Sequence, residues 1–451
     1  MNDILVIGAG VTGLTLAWAL RERGHGVRLL EAHPTAGGKI RSRHADGYRV
    51  DLGPNSLLER PGQGLSRLID ALELRPRVVE ANAQAKRRYV CREGRVLALP
   101  GGPLDFIRTP LFSARAKLRL LSEPWRTSAA ADESIAQFVR RRLGAEFLDW
   151  AVDPFVSGVY AGDPEKLSVR AATARVHALE AQAGSLFLGA ARQAAKRRGS
   201  GPAPRSRLIG FRDGMQELTD ALAARLGDDL QTDSAVAGLR RVGGHWVAET
   251  AQGAVEGARL VLALPAYAAA DLLESFKWEL AGELRGIGYP GVANVALGLP
   301  RAAVQHPLDG FGMLIPSREG RETLGVLFSS TLFPGRAPAG HVLLTAFIGG
   351  ARNPEAHARD DATLIERVIA DITPLLGIDA APTFSRVTRW PRAIPQYTIG
   401  HLDRLARIDA ALAELPGLSL AGNWRGGIAV GDCIDNALAL ADRLAGEALN
   451  T

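Results

Sequence analysis

Ile4-Leu5-Val6-Ile7-Gly8-Ala9-Gly10-Val11-Thr12-Gly13, followed at the end of the next apolar run by Glu31, decides how this chain begins to fold. Four consecutive aliphatic residues predict a buried strand over Asp3–Ile7. Gly8, Gly10 and Gly13 then match G-x-G-x-x-G in the context that gives the pattern meaning, after a strand and opening a helix. The first glycine permits a tight turn, and the second lets the backbone approach a pyrophosphate. The third lets helix and strand pack closely, and the helix N-terminus faces the negative charge. A helix is predicted over Thr12–Arg23, with Leu14, Ala17 and Trp18 on one face, closed by Gly24 and Gly26. A second strand follows over Val27–Glu31. Glycine-rich turns occur in many α/β proteins. Glu31 stands where a carboxylate accepts hydrogen bonds from a ribose diol, which favours a dinucleotide site.

The composition around this start is that of an ordinary globular protein. Among 451 residues, 47% are hydrophobic and 23% charged, with 54 Lys/Arg against 48 Asp/Glu for a net +6. This excludes a disordered, collagen-like or polytopic membrane chain, and the length predicts two or three domains. Cys91 and Cys433 cannot form a disulfide framework or a four-cysteine zinc site, so a reducing compartment is expected. No HExxH, metal-spaced histidine pair or G-x-S-x-G elbow is present, so no metal site and no nucleophilic hydrolase is expected. The uncharged run Ile4–Leu20 is at the short limit of the roughly 17–25 residues that span a bilayer. Its glycines and the preceding Asp3 argue against a signal or a span. A cytoplasmic protein is expected.

The basic excess is uneven. Residues 75–126 hold twelve Lys/Arg against four acids, and residues 192–212 hold seven with no acid. Such runs are most often solvated helical faces. The mixed segment Phe106–Leu121 also suits an anionic substrate or the inner face of an anionic membrane, and no recognition motif supports nucleic acid. Further along, 66–75 and 112–200 read as largely helical, 199–204 as a linker, 231–264 and 291–350 as strands, and 362–376 as helix. Leu418–Ala421 reads as a strand and Ile434–Leu449 as a helix with Ile434, Leu438, Ala441 and Ala445 aligned. The two ends look α/β and the middle does not, which implies a nucleotide-binding domain interrupted by insertions.

After Glu31 and Ala32, Gly37-Gly38-Lys39 adds backbone amides and a cation directed at the same phosphates; the following Ile40 excludes a Walker A loop. Gly422-Asn423-Trp424-Arg425-Gly426-Gly427-Ile428-Ala429-Val430 approaches the last helix as a second anion-holding terminus. An extended flavin dinucleotide uses both termini, whereas NAD needs only the first. Cys433 reads as a small packed residue.

With these residues assembled, the chain resembles the FAD-dependent protoporphyrinogen oxidases of the amine oxidase-like flavoproteins. The likeness lies in Asp51-Leu52-Gly53-Pro54-Asn55-Ser56, Asp153–Pro164, His306–Gly312, Phe333–Pro338 and Trp390–Tyr397 as well as in the glycine turns. It implies oxidation of a porphyrinogen in three two-electron steps, with oxygen as acceptor. It places Arg88 against a propionate, Gly158 beside the macrocycle, and Leu314, Leu327 and Phe347 around the ring. It places Gly53, Pro54, Asn55, Ser56, Trp390, Ile428, Ala429 and Val430 at the cofactor and Val236 at the adenine. No cysteine stands near Pro395-Gln396-Tyr397, so FAD is expected to be non-covalent. No side chain is assigned as catalytic acid or base. The implied fold class is α/β, a Rossmann-like FAD-binding domain (1–75, 206–290 and 386–451) interrupted by a mainly helical insertion (76–205) and a mixed α+β substrate domain (291–385). Taken without the resemblance, Leu314, Leu327 and Phe347 read as ordinary core and Arg88 as surface. Coproporphyrinogen III oxidation, another flavin amine oxidase or desaturase, and a non-catalytic porphyrin-binding flavoprotein stay open, as do a homodimer and peripheral membrane contact.

Overall fold

The computed structural model describes residues 2–129, 131–198 and 205–446. The predicted linker at 199–204 and the end of the last predicted helix lie outside them. Strand Asn2–Ile7 pairs in parallel with Val27–Leu30 on one side and Gly253–Leu262 on the other. Leu230–Gln231 extends the sheet beyond Val27–Leu30, and Leu418–Leu420 pairs in parallel with the second half of Gly253–Leu262. The first half of that long strand turns instead into an antiparallel meander with His245–Thr250 and Val236–Val242. Parallel strands covered on both faces must be apolar throughout, and Ile4, Leu5, Val6, Leu29 and Leu260–Leu262 are buried.

Helices Val11–Arg21, Gln216–Leu226 and Val430–Gly446 cover one face of this sheet. Helices Ala266–Leu273, Trp278–Arg285 and His401–Leu412 cover the other. The first helix differs from the prediction. Residues 12–17, Ala19 and Leu20 are all buried, because two other helices flank it against the sheet. Its apolar surface is therefore nearly continuous, and Trp18 lies at its half-exposed margin.

A second sheet runs in the order Phe384–Trp390, Val292–Pro300, His341–Gly349, Thr323–Leu327, Gly310–Leu314, Arg87–Arg92, Arg95–Ala98. Helix Asp361–Leu376 packs on one face through Leu364, Val368 and Ile372. The opposite face carries Ala296, Leu343 and Phe384 against Tyr48, Val50 and Leu52 of the first domain. A buried ion pair crosses the same junction, Asp51 to Arg336 at 2.9 Å. Arg87–Arg92 and Arg95–Ala98 thus tie the 76–205 stretch into this sheet. Their arginines hide the strand pattern, although Tyr89, Val90 and Cys91 are buried. Likewise Phe384–Trp390 runs past the boundary drawn at 385. Val78–Glu80, in the same stretch, pairs antiparallel with Arg207–Phe211, and most of the remainder is helical around Phe112, Phe138, Phe147 and Trp150.

Candidate active site

Three chain segments that are distant in sequence meet at the carboxyl ends of the parallel strands, where open α/β sheets bind ligands. Gly8, at φ +101°, donates its amide N–H to the Leu30 carbonyl (2.8 Å), and a Cβ there would lie 2.7 Å from the Ala263 carbonyl oxygen. Ala421 N–H donates to the Leu262 carbonyl at 3.0 Å, which brings Gly422 and Asn423 alongside. At Gly13 a Cβ would sit 1.9 Å from the Gly8 carbonyl oxygen, so turn and helix approach as closely as backbone allows. The Gly37 amide donates to the Ala9 carbonyl at 2.7 Å, and a Cβ on Gly38 would lie 3.2 Å from the Gly10 Cα. The second glycine pair therefore lies directly against the first.

A flavin dinucleotide fits this arrangement. Gly10 caps helix Val11–Arg21 without a side chain, and nothing lies within 4 Å of where its Cβ would be. Unpaired first-turn amides thus face open space. The buried Glu31 accepts from the Ala9 amide at 2.8 Å and the His33 amide at 3.0 Å. A carboxylate has about four acceptor sites, leaving capacity for a ribose hydroxyl. Ala32, exposed, follows it, and the Glu31 carbonyl accepts from the Ser234 amide at 2.8 Å, bringing the start of strand Val236–Val242 to the same corner.

On the far flank, Gly53 packs so tightly that a Cβ would be 1.9 Å from the Lys39 carbonyl oxygen, and Pro54, Asn55 and Ser56 continue half-buried. The Trp390 indole donates to the Leu52 carbonyl at 2.8 Å. Ile428 and Ala429 lead into helix Val430–Gly446, with the Cys433 amide donating to the Ala429 carbonyl at 3.0 Å. Burial pushes the Cys433 thiol up to about 11, consistent with a packed, inert residue.

Sequence reasoning missed the supports of this flank. The Tyr397 hydroxyl donates to the Asn423 carbonyl at 2.7 Å and accepts from the Gly427 amide at 3.1 Å. His401 stacks on Tyr397 with ring centroids 4.2 Å apart, and its Nε2 lies 3.0 Å from the Trp424 carbonyl. In the sequence, Pro395-Gln396-Tyr397 counts only as part of the Trp390–Tyr397 resemblance and for its lack of a cysteine, and no spacing signal assigns the Tyr397 hydroxyl a partner. Lys39 also behaves differently from the reading that aimed it at phosphates. Its ammonium donates to the carbonyls of Arg392, at 2.6 Å, and Ala393, and lies over the Tyr289 ring.

Strand register explains the second half of the site. Leu314 pairs with Gly325 and Gly325 with Phe347; Gly312 pairs with Leu327 and Leu327 with Thr345. Alternation along each strand puts Leu314, Leu327 and Phe347 on one face, around two glycines, while Met313, Val326 and Ala346 are buried on the other. Helix Asp153–Tyr160 lies over this row, so that a Cβ on Gly158 would be 2.4 Å from Leu314 Cδ2. Phe347 and Trp390 pack on a common cluster with Ala161, Val292 and Ala393, which makes the apolar face continuous with the cofactor flank.

Arg88 is exposed at the rim, its guanidinium 5.2 Å from the Phe311 ring centroid. The neighbouring Arg87 is paired with Asp309, whereas Arg88 has no carboxylate partner among the described residues. At the other end of the row the guanidinium groups are already engaged: Arg352 with Asp153 at 2.5 Å and Asp163 at 3.4 Å, and Arg318 with Asp149 at 2.6 Å. Among the described residues no group of three or more His, Cys, Asp or Glu could hold a metal ion, and no helix is long and apolar enough to cross a membrane.

Residues 11–445 match the family of flavin containing amine oxidoreductases. The chain belongs to that family. It is an FAD-dependent oxidoreductase with the family's α/β fold, and relatives named protoporphyrinogen oxidase match it over nearly its whole length. The chloroplastic protoporphyrinogen oxidase of Nicotiana tabacum is 36% identical, over 98% of this chain and 85% of that protein. The coproporphyrinogen III oxidase of Bacillus subtilis is 29% identical, over 97% of both. Among solved structures, UDP-galactopyranose mutase superposes with a TM-score of 0.75 at 18% identity, covering 99% of this chain and 96% of that one. Cyclohexylamine oxidase from Brevibacterium oxydans gives 0.71 at 17% identity, over 98% of both. At these identities the two structures speak for the fold alone.

Proposed function

We propose that this flavoenzyme oxidises protoporphyrinogen IX to protoporphyrin IX in heme biosynthesis. The observation that carries the reading is the apolar row Leu314–Leu327–Phe347, continuous with the cofactor flank and ending at a rim arginine without a counter-ion. A flat tetrapyrrole requires a wide apolar slot with a cation at its propionate edge. When bound, FAD supplies the two-electron acceptor for each of three dehydrogenations, with molecular oxygen as terminal acceptor. The chain's part is orientation. Leu314, Leu327 and Phe347 hold the macrocycle, Gly158 lets a helix backbone lie over it, and Arg88 receives a propionate. No side-chain acid or base is assigned, and pyrrole protons leave to solvent at the rim.

The engaged guanidinium groups at the far end favour a substrate with propionates on one edge over coproporphyrinogen III, which carries them on both. The decisive experiment mixes FAD-loaded protein anaerobically with protoporphyrinogen IX, coproporphyrinogen III or primary amines and follows bleaching of the flavin. Fast bleaching by protoporphyrinogen IX is expected. Faster bleaching by either alternative replaces the reading, and none with any of them leaves a non-catalytic flavoprotein.

The helical insertion supports a second element of this reading, contact with an anionic bilayer. Leu104, Ile107, Leu118, Leu121 and Trp125 are exposed, Trp125 to 82%, and the exposed Arg108 and Arg115 stand among them. Apolar residues interleaved with cations suit the lipid headgroup boundary. Co-sedimentation with anionic but not zwitterionic vesicles, lost on replacing Leu118, Leu121 and Trp125 by serine, is the expected result.

A further inference from the structure

Arg87, Arg88 and Tyr89 are consecutive on one strand but do not share a face. Leu314, on the slot face, pairs with Val90, so Arg88, two residues before Val90, stands on that face as well. Arg87 and Tyr89 stand on the opposite face, where Tyr89 packs in the cluster of Met313, Val326 and Ala346. There a single carboxylate takes both. Asp309 accepts from the Tyr89 hydroxyl at 2.5 Å through one oxygen and from the Arg87 guanidinium through the other. The Tyr89 hydroxyl, with Arg87, holds its carboxyl below the usual carboxylate range. The turn that carries Asp309 is itself anchored. Arg301 donates to the His306 and Pro307 carbonyls, each at 3.1 Å, and the His306 amide donates to the Leu376 carbonyl at 2.9 Å. Leu308, buried, is held at φ +52° with its amide donating to His306 Nδ1 at 3.0 Å. The Tyr89 ring lies edge-on to His306, centroids 4.9 Å apart, and a Cβ on Gly310 would meet its Cε2 at 2.6 Å. Gly310 pairs with Arg87 and Met313 with Tyr89, so strand Gly310–Leu314 carries one extra residue there. Such a bulge re-aims a side chain. Here it is Phe311, whose ring receives the Arg88 guanidinium.

We propose that Asp309 is a positioning residue for the substrate: gripping Arg87 and Tyr89 from behind the sheet, it fixes the strand between them and so presents the Arg88 guanidinium, seated on Phe311, to a propionate. The inference rests on the substrate reading above. Asp309 lies across the sheet from the slot, so it acts through Arg88 and not on the reacting atoms. An exposed arginine left to roam loses rotamer freedom when a carboxylate captures it, which costs about two- to tenfold in affinity. Here the chain around Arg88 is restrained in advance. Its carbonyl accepts from the Leu99 amide at 2.8 Å, and both its neighbours are tethered to one carboxylate. Stability is a poor account of the same pair, because Arg87 and Asp309 are 65% and 28% exposed and such pairs contribute little.

The sign of the effect separates positioning from charge. Removing a carboxylate near a rim that receives an anion would, by its field alone, lower KM. Loss of positioning raises it. The test measures KM and kcat for protoporphyrinogen IX at low ionic strength in FAD-loaded wild type, Asp309→Asn, Arg88→Met and the double variant, with flavin content and far-UV circular dichroism to confirm folding. Asp309→Asn should raise KM about two- to fivefold, the loss of Arg88 setting the ceiling, and leave kcat within about twofold. In the Arg88→Met background it should add nothing. Tyr89→Phe, which removes one tether and no charge, should give part of the same rise, again absent without Arg88; if Asp309→Asn does not fold, Tyr89→Phe decides by the same criteria. A KM at or below that of wild type, or a rise that multiplies with that of Arg88→Met, overturns the proposal alone. If Arg88→Met itself leaves KM unchanged, the propionate reading falls and the proposal with it.

Discussion

Gly158→Ala probes the substrate slot without touching the cofactor. The added methyl would stand 2.4 Å from Leu314 Cδ2, so Leu314 must retreat by 3.4 − 2.4 = 1.0 Å to reach ordinary contact. Displacing that side chain from its rotamer costs about 0.5–1.5 kcal/mol. Alanine in place of glycine within helix Asp153–Tyr160 returns about 0.5–1 kcal/mol, so net stability changes by less than about 1 kcal/mol. The consequence falls on the slot, where Leu314 is driven into the space for the ring. Overpacking of that kind costs about 1–3 kcal/mol, which lowers kcat/KM by about 5- to 150-fold. Steady-state oxidation of protoporphyrinogen IX, together with flavin content and thermal unfolding, measures each part separately. Adding Leu314→Ala should recover most of the loss by returning the displaced volume. If Gly158→Ala loses its flavin, or if the double variant is as impaired as the single, the placement of the slot is refuted.

Other perturbations separate the remaining parts. Asp51→Asn and Arg336→Met each strand a buried charge whose partner is 2.9 Å away, with side chains only 4% and 3% exposed. Each should cost about 3–5 kcal/mol in denaturant unfolding, and the double variant should cost much less than their sum. Arg88→Met should raise KM about fivefold at low ionic strength and hardly at all in high salt, as for an exposed ion pair, while leaving stability unchanged. Gly13→Ala, with its 1.9 Å backbone overlap, should yield protein that retains no FAD on desalting. Burial lowers His401 to about 4, so the fold favours its neutral form. Stability should fall as pH drops from about 6.5 toward 4, by up to about 1.4 kcal/mol per pH unit, and His401→Gln should flatten that part of the unfolding profile.

The beginning of the fold was legible because its signals are local. The strand–turn–helix around Gly8, Gly10 and Gly13 needs only short-range spacing, and Glu31 ends the next strand. The slot was legible only through resemblance. Leu314, Leu327 and Phe347 look like core in isolation, and it is cross-strand register, with Gly325 opposite both Leu314 and Phe347, that gathers them. Long-range partners carried no signal. Asp51 and Arg336 belong to separate motifs, and only the folded chain brings them together. Lys39 was half legible for a similar reason: the sequence puts it beside the phosphate turn, whereas the acceptors of its hydrogen bonds lie far along the chain, on the segment that follows Trp390. Alternation failed at Arg87–Arg92, where Tyr89, Val90 and Cys91 are buried in succession between flanking arginines.

The meeting of Gly8, Ala263 and Ala421 at the carboxyl ends of three parallel strands has a consequence for how holoprotein is made. The earliest strand supplies half a nest for the yellow nucleotide, but the other half waits on Leu418–Leu420 and the helix after it. Severed fragments ending before 418 would be expected to stay pale, and mixing them with the missing tail would turn colour into a direct gauge of topological closure.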